Sequence, residues 1–166
     1  MTERWRKPEI MKSVTRTFTI MGEVQPKARP RSACIKGHAR LYTPAKTLSF
    51  EDRVCGAYLA KYPNAEKFIL GVEVTIIAYF PLNSSDYWPI NSKHRGELRQ
   101  SGIDKLSNAT KMTKKPDSDN LKTICDGLNH AGLWRDDAQV WRYLVEKRYS
   151  ETPRTEVTIV GELDEN

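Results

Sequence analysis

The chain has 166 residues, 39% of them apolar and 29% charged, with a net charge of +6 and an isoelectric point near 9.2. That length suits one domain with one core, and the composition excludes a disordered or fibrous chain. No apolar run approaches the ~20 residues a membrane span requires, and nothing resembles a secretory signal.

Residues 1–13 read as a basic tail, leaving 14–162 as the single folded domain. Val14–Glu23 alternates, with Phe18 and Ile20 on one face, and is expected to be a strand. Gln25-Pro-Lys-Ala-Arg-Pro-Arg-Ser is a proline-punctuated basic loop that cannot be helix interior. A helix is expected to about Lys61, with Thr43 as N-cap and Pro44 at its first position. Leu70–Phe80 is the clearest strand: Val72, Val74, Ile76, Ala78 and Phe80 share one face, and Ile77 and Tyr79 suggest that the other is covered too. Residues 81–116 form a long polar connection, with a short helix expected around Ser92–Gln100. A loop of that length in a small domain is more often functional than idle. From Asp117 the pattern turns helical until Asn129–Gly132, where Gly132 is the stop. Val140–Tyr149 and Thr155–Gly161 read as two strands joined in a hairpin through Glu151-Thr-Pro. The order β-α-β-α-β-β describes an α/β domain, a mixed sheet covered by helices.

The charge is unevenly placed. Residues 1–50 carry eleven Lys/Arg against three Glu, or +8, which leaves −2 for the rest of the +6 total. Such asymmetry points to a polyanionic partner such as DNA or RNA, although surface lysines can also serve only solubility. Cys34, Cys55 and Cys125 are scattered and odd in number, which fits a reduced, cytoplasmic setting better than a disulfide or zinc framework. No phosphate-loop or dinucleotide glycine pattern occurs, so a nucleotide cofactor is not expected.

Against this basic background stands a small acidic cluster. Asp117 and Asp119 straddle the start of the predicted helix, where an extended or capping backbone lets them converge. Leu121, Ile124, Cys125 and Leu128 form the apolar stripe, and Asp119, Lys122, Thr123, Asp126 and His130 the opposite one. Asp136 and Asp137 follow Trp134, just before a strand. Several carboxylates suit a hard divalent ion, which can polarise a phosphate and activate water, while a lysine neutralises developing charge. Each residue also has an ordinary reading: Asp117 as a cap, Lys122 and Asp126 as a surface pair, Asp136-Asp137 as a turn. Spacing leaves that choice open.

The stretch P-D-S-D-N-L-K-T-I-C-D-G-L-N-H-A-G-L-W-R-D-D-A-Q-V, residues 116–140, resembles the signature of the RusA-type Holliday-junction resolvases. G-E-V-Q-P-K-A-R-P-R-S, followed by Leu41-Tyr-Thr-Pro-Ala-Lys-Thr, is similar to the N-terminal half of the larger members. The resemblance implies a RusA-like fold and a homodimeric endonuclease that binds four-way DNA junctions. With Mg²⁺, or Mn²⁺ in its place, it would cut two strands symmetrically, leaving 5′-phosphate and 3′-hydroxyl ends. By motif, Asp117, Asp119 and Asp137 match the metal-binding and catalytic carboxylates, and Lys122 the catalytic lysine. Asp136 is a further metal candidate, and Asp126 an orienting or structural one. The family pattern puts the lysine four residues after the second aspartate, whereas Lys122 is three after Asp119. The 81–116 connection exceeds that of the compact members.

Lys27, Arg29, Arg31, Lys36 and Arg40 suit phosphate contacts, and Lys114 and Lys115, with Lys111 nearby, could steer a backbone into the acidic site. Phe80, Tyr87 and Trp88 could stack on an unpaired base, though ordinary packing is the commoner role. Trp134, Trp141 and Tyr143 are expected in the core or a dimer interface. Two other readings remain: a non-catalytic junction-binding architectural protein, and a metal-dependent nuclease acting on flaps or RNA.

Overall fold

A computed structural model describes residues 12–36, 38–107 and 111–163. Most of the expected basic tail, residues 1–11, lies outside them. Four strands form the main sheet: β1 (Lys12–Met21), β4 (Val72–Phe80), β5 (Val140–Tyr149) and β6 (Arg154–Leu163), in the order β1-β6-β4-β5. Helices α1 (Ala45–Lys61) and α3 (Thr123–His130) pack together over it, and a short α2 spans Gln100–Leu106. The sequence reading of a mixed sheet with covering helices holds.

Period-two patterning explains the strands. In β1, Arg16, Phe18 and Ile20 are buried while Thr15, Thr17 and Thr19 face out. In β4, Val72, Val74, Ile76, Ala78 and Phe80 are buried. Ile77 and Tyr79, expected to be covered, are only half-buried. Phe50, Val54 and Tyr58 of α1 and Ile124, Cys125 and Leu128 of α3 complete the core. The helices approach so closely at Gly127 that a Cβ there would lie 2.6 Å from the Val54 Cβ. Gly132, at φ +69, ends α3: its N–H reaches Asn129 O and that of Leu133 reaches Leu128 O, satisfying two terminal carbonyls.

Four expectations need correction. β5 and β6 do not form a hairpin: β4 lies between them, parallel to β5 and antiparallel to β6. Residues 150–153 step across the end of β4, where Ser150 N–H donates to Phe80 O. Two strand spacings, about 9.6 Å, lie within reach of four residues, and the central position goes to the most apolar strand. Residues 31–42 are not loop but a two-stranded ribbon, β2 (Arg31–Ile35) and β3 (His38–Tyr42). Lys36, at the end of β2, has a positive φ of 51°, the backbone a tight turn needs. Pro44, not Thr43, occupies the cap position of α1. The short helix of the long connection begins at Gln100, where it was expected to end.

Candidate functional site

Edge strand β5 positions the segment that leads into the acidic cluster. The Lys147 ammonium donates to Lys114 O at 2.7 Å and Pro116 O at 2.8 Å, and Met112 N–H donates to Lys147 O. Asp117 follows, with extended backbone, at the cap position of a 3₁₀ helix, Ser118–Lys122. Its carboxylate does not cap that helix. Side chains of Asp117 and Asp119 are exposed, and neither makes a hydrogen bond or ion pair among the described residues.

The 3₁₀ turn bears directly on the shortened spacing. At three residues per turn, positions three apart fall on one face, so Asp119 and Lys122 share a face of this turn. An α-helical turn would have offset them. The same phase change corrects the expected polar stripe: Thr123 is fully buried, where α3 proper begins.

The Asp136-Asp137 pair is set by a second 3₁₀ turn, Asp137–Gln139. Asp136 caps it, accepting Ala138 N–H at 2.7 Å. The Gln139 amide donates to Phe68 O and Leu70 O, and its oxygen accepts Arg135 N–H. Gln139 thus ties the aspartate turn to the approach of β4. Trp134, buried, is pinned by its indole N–H to the Asn129 side chain. With the turn so fixed, Asp137 reaches back to Lys122, Oδ2 to Nζ 3.0 Å. Lys122 hydrogen-bonding holds the Asp137 carboxyl below its usual range, and Asp137 pushes the Lys122 ammonium up.

Asp126 is more central than its motif rank suggested. It pairs not with Lys122 but with Lys27, Nζ to the buried Oδ2 2.8 Å, off the line of a hydrogen bond. Lys27 N–H also donates to Asn120 O at 2.7 Å, so the N-terminal basic loop is fastened to the acidic helix twice. Glu51 of α1 faces the same place; burial, then Asp126, raises its pKa. Burial also raises the Cys125 thiol to about 12 and the Tyr143 phenol, with smaller pushes on both from Asp126. Tyr143 therefore belongs beside the acidic cluster, its hydroxyl buried and without a hydrogen bond among the described residues. Sequence reasoning had no signal for Glu51, Tyr143 or Lys147, because strand pairing and helix packing bring them in.

A groove of about 550 Å³ runs past Asp117, lined among others by Lys27, Lys114, Lys115, Asn83 and Asn120. Arg29 is exposed nearby in sequence, and Arg31, Lys36 and Arg40 are exposed on the β2–β3 ribbon. Phe80 is buried, Tyr87 half-buried and Trp88 40% exposed, so only Trp88 offers a ring to solvent. Trp134 is core, but Trp141 is 66% exposed on the edge strand.

Asp117, Asp119, Asp136 and Asp137 offer hard carboxylate oxygens, the donor type suited to Mg²⁺, and of these Asp117 lines the groove. Among the described residues, however, no three His, Cys, Asp or Glu side chains converge closely enough to hold a metal. Asp117 and Asp119 are available, Asp137 is engaged by Lys122, and Asp136 by its own turn.

The model of the endodeoxyribonuclease RusA family matches residues 22–160, spanning both basic loop and acidic cluster. The chain belongs to the RusA family. A Bacillus subtilis (strain 168) protein, YqaN, described as uncharacterized, is 36% identical over 144 residues, which cover 86% of this chain and 93% of YqaN. The matched span contains the paired aspartates, the lysine that follows them and the Asp-Asp turn. It extends across the long connection as well.

Proposed function

We propose that this protein is a Mg²⁺-dependent, structure-selective endodeoxyribonuclease that resolves four-way DNA junctions by paired symmetric nicks, as a homodimer in the cytoplasm. One observation carries the reading: two exposed aspartates with no hydrogen bond or ion pair among the described residues sit on the turn whose Lys122 is ion-paired to a third, Asp137, and Asp117 lines a groove together with Lys27, Lys114 and Lys115. By the family resemblance Asp117, Asp119 and Asp137 would be the residues to hold Mg²⁺, or Mn²⁺ in its place, which requires Asp137 to leave Lys122 and the three carboxylates to draw together; the ion would then supply a polarised phosphoryl oxygen and an activated water. Asp136 keeps its turn in register and is the weaker ligand candidate. Lys122, released from Asp137, neutralises charge developing on the scissile phosphate. Lys114 and Lys115 guide the strand, and Arg29, Arg31, Lys36 and Arg40 hold the flanking backbone without reading sequence. Two copies related by a twofold axis match the pseudo-twofold symmetry of a junction.

The test is cleavage of a labelled mobile junction, a matched duplex and a flap by wild type and Asp119→Asn, with and without Mg²⁺. Paired nicks confined to the junction are expected, lost without metal and in the variant, which should still bind the junction. Tight junction binding with no cutting under any divalent ion would instead establish an architectural protein. Preferential cutting of the flap would reassign the substrate.

A further inference from the structure

Residues 81–106 leave the sheet and build an element of their own. Tyr87 and Leu98 form a β-bridge, Trp88 N–H donates to Glu97 O at 2.9 Å, and Gly96 turns the tip at φ +78. The foot is held by Asp86, 2% exposed, which accepts from Lys105 Nζ at 2.7 Å to each oxygen, Ser101 Oγ and Asn83 N–H. Gly102 of α2 packs so tightly here that a Cβ would lie 2.9 Å from Asp86 O. The Asp86–Lys105 pair thus ties the start of the projecting segment to α2.

That tip exposes Trp88 at 40% and Ile90 at 72%. The Arg99 guanidinium stands 4.9 Å from the indole centroid, and the His94 ring 5.6 Å. Residues 87–98 contain Lys93 and Arg95, both exposed, and one carboxylate, Glu97, whose Oε2 lies 3.0 Å from His94 Nδ1. An exposed indole beside a guanidinium, on a tip that also carries Lys93 and Arg95, has the composition of a stacking platform for a nucleobase on a polyanionic strand. The foot also adjoins the acidic helix: Asn83 lines the groove with Asp117, and Lys105 lines a second cleft with Ser118.

We propose that residues 87–98 are a DNA finger whose Trp88 stacks on an unpaired nucleobase beside the cleavage site, giving preference for strands opened at a branch. A matched duplex holds every base within a continuous stack, whereas a crossover interrupts the stack at the branch, where taking a base out costs less. The inference rests on the junction-nuclease reading and adds a recognition surface to it.

The experiment uses the full chain carrying Asp119→Asn, with and without Trp88→Ala or Trp88→Phe. Affinity is measured for a junction with 2-aminopurine at the crossover, a matched duplex and an oligo-dT strand. Trp88→Ala should weaken binding to junction and oligo-dT about tenfold, leave duplex binding within about twofold, and abolish the change in 2-aminopurine emission. Trp88→Phe, which keeps a ring, should retain most of both. Unaltered emission and affinity in Trp88→Ala, or an equal loss on every DNA, would overturn the finger. So would a change in sedimentation with unchanged DNA binding, which would make the tip a protein interface. A parallel cleavage assay with otherwise wild-type protein separates the two ideas: if it never cuts junctions the nuclease reading fails, while the oligo-dT arm still reports on Trp88.

Discussion

Lys147 shows how one side chain can govern a site it does not enter. Its ammonium satisfies two carbonyls in the three residues before Asp117, so it holds the direction from which that carboxylate projects. Lys147→Met keeps the bulk and removes both donors, at about 1 kcal/mol for each neutral-acceptor bond. The larger effect should be on rate, since misplacing a reacting group by about 1 Å can cost on the order of a hundredfold. Junction cleavage is expected to fall roughly tenfold to a hundredfold with affinity within about twofold, and Lys147→Arg to recover part of it. Single-turnover kinetics beside equilibrium binding would check this; equal losses in both would mean that Lys147 contacts DNA directly. Asp119→Asn is the complementary case, acting on the chemistry itself.

At the scale of the element, the projecting 81–106 segment depends on the charge state of Asp86. Burial alone would raise that carboxyl, but the Lys105 hydrogen bonds, Asn83 N–H and Ser101 hydroxyl outweigh it, and the net pKa lies below the usual 3.8. A depressed carboxyl contributes stability that is fully present above its unfolded value and is lost as pH falls through its native one. The tip should therefore stay ordered at neutral pH and loosen only below about pH 4, seen as a shift of the Trp88 indole N–H resonance. Asp86→Asn cannot titrate, so its Trp88 signal should show no such step; a step of the same size would assign the transition to another group. The β2–β3 ribbon contrasts with this element. Every position of β3 is exposed, and a two-stranded hairpin is only marginally stable in water, so its order depends on what it meets.

At the scale of the whole molecule the charge distribution governs affinity. Binding that rests on phosphate contacts loses strength with salt at a slope of about −0.9 per phosphate neutralised. The junction affinity should fall steeply between low and physiological salt. Replacing Arg29, Arg31, Lys36 or Arg40 singly should reduce the slope by about one each. Lys27 should reduce it less, because its ammonium already serves Asp126. Titrations at several ionic strengths would show this, and a flat response would remove the electrostatic basis of the reading.

Much of this was legible from local chemistry. Apolar alternation in residues 14–23 and 70–80 dictates strands because a half-buried pleat needs that period. The stripe Leu121, Ile124, Cys125 and Leu128 dictates which way the helix after the aspartates must turn, and the clustered aspartates announced an acidic site in a basic chain. Three kinds of fact were decided only in three dimensions. Strand order put β4 between β5 and β6, because burying the most apolar strand on both edges outweighs the adjacency of neighbours in the chain. The 3₁₀ turn at 118–122 put Asp119 and Lys122 on one face and left Lys122 to pair with Asp137, a matter of helical pitch that residue spacing alone leaves ambiguous. Lys27, Glu51, Tyr143 and Lys147 arrived at the site through packing between segments 20 to 100 residues apart, and no local pattern carries contacts of that range.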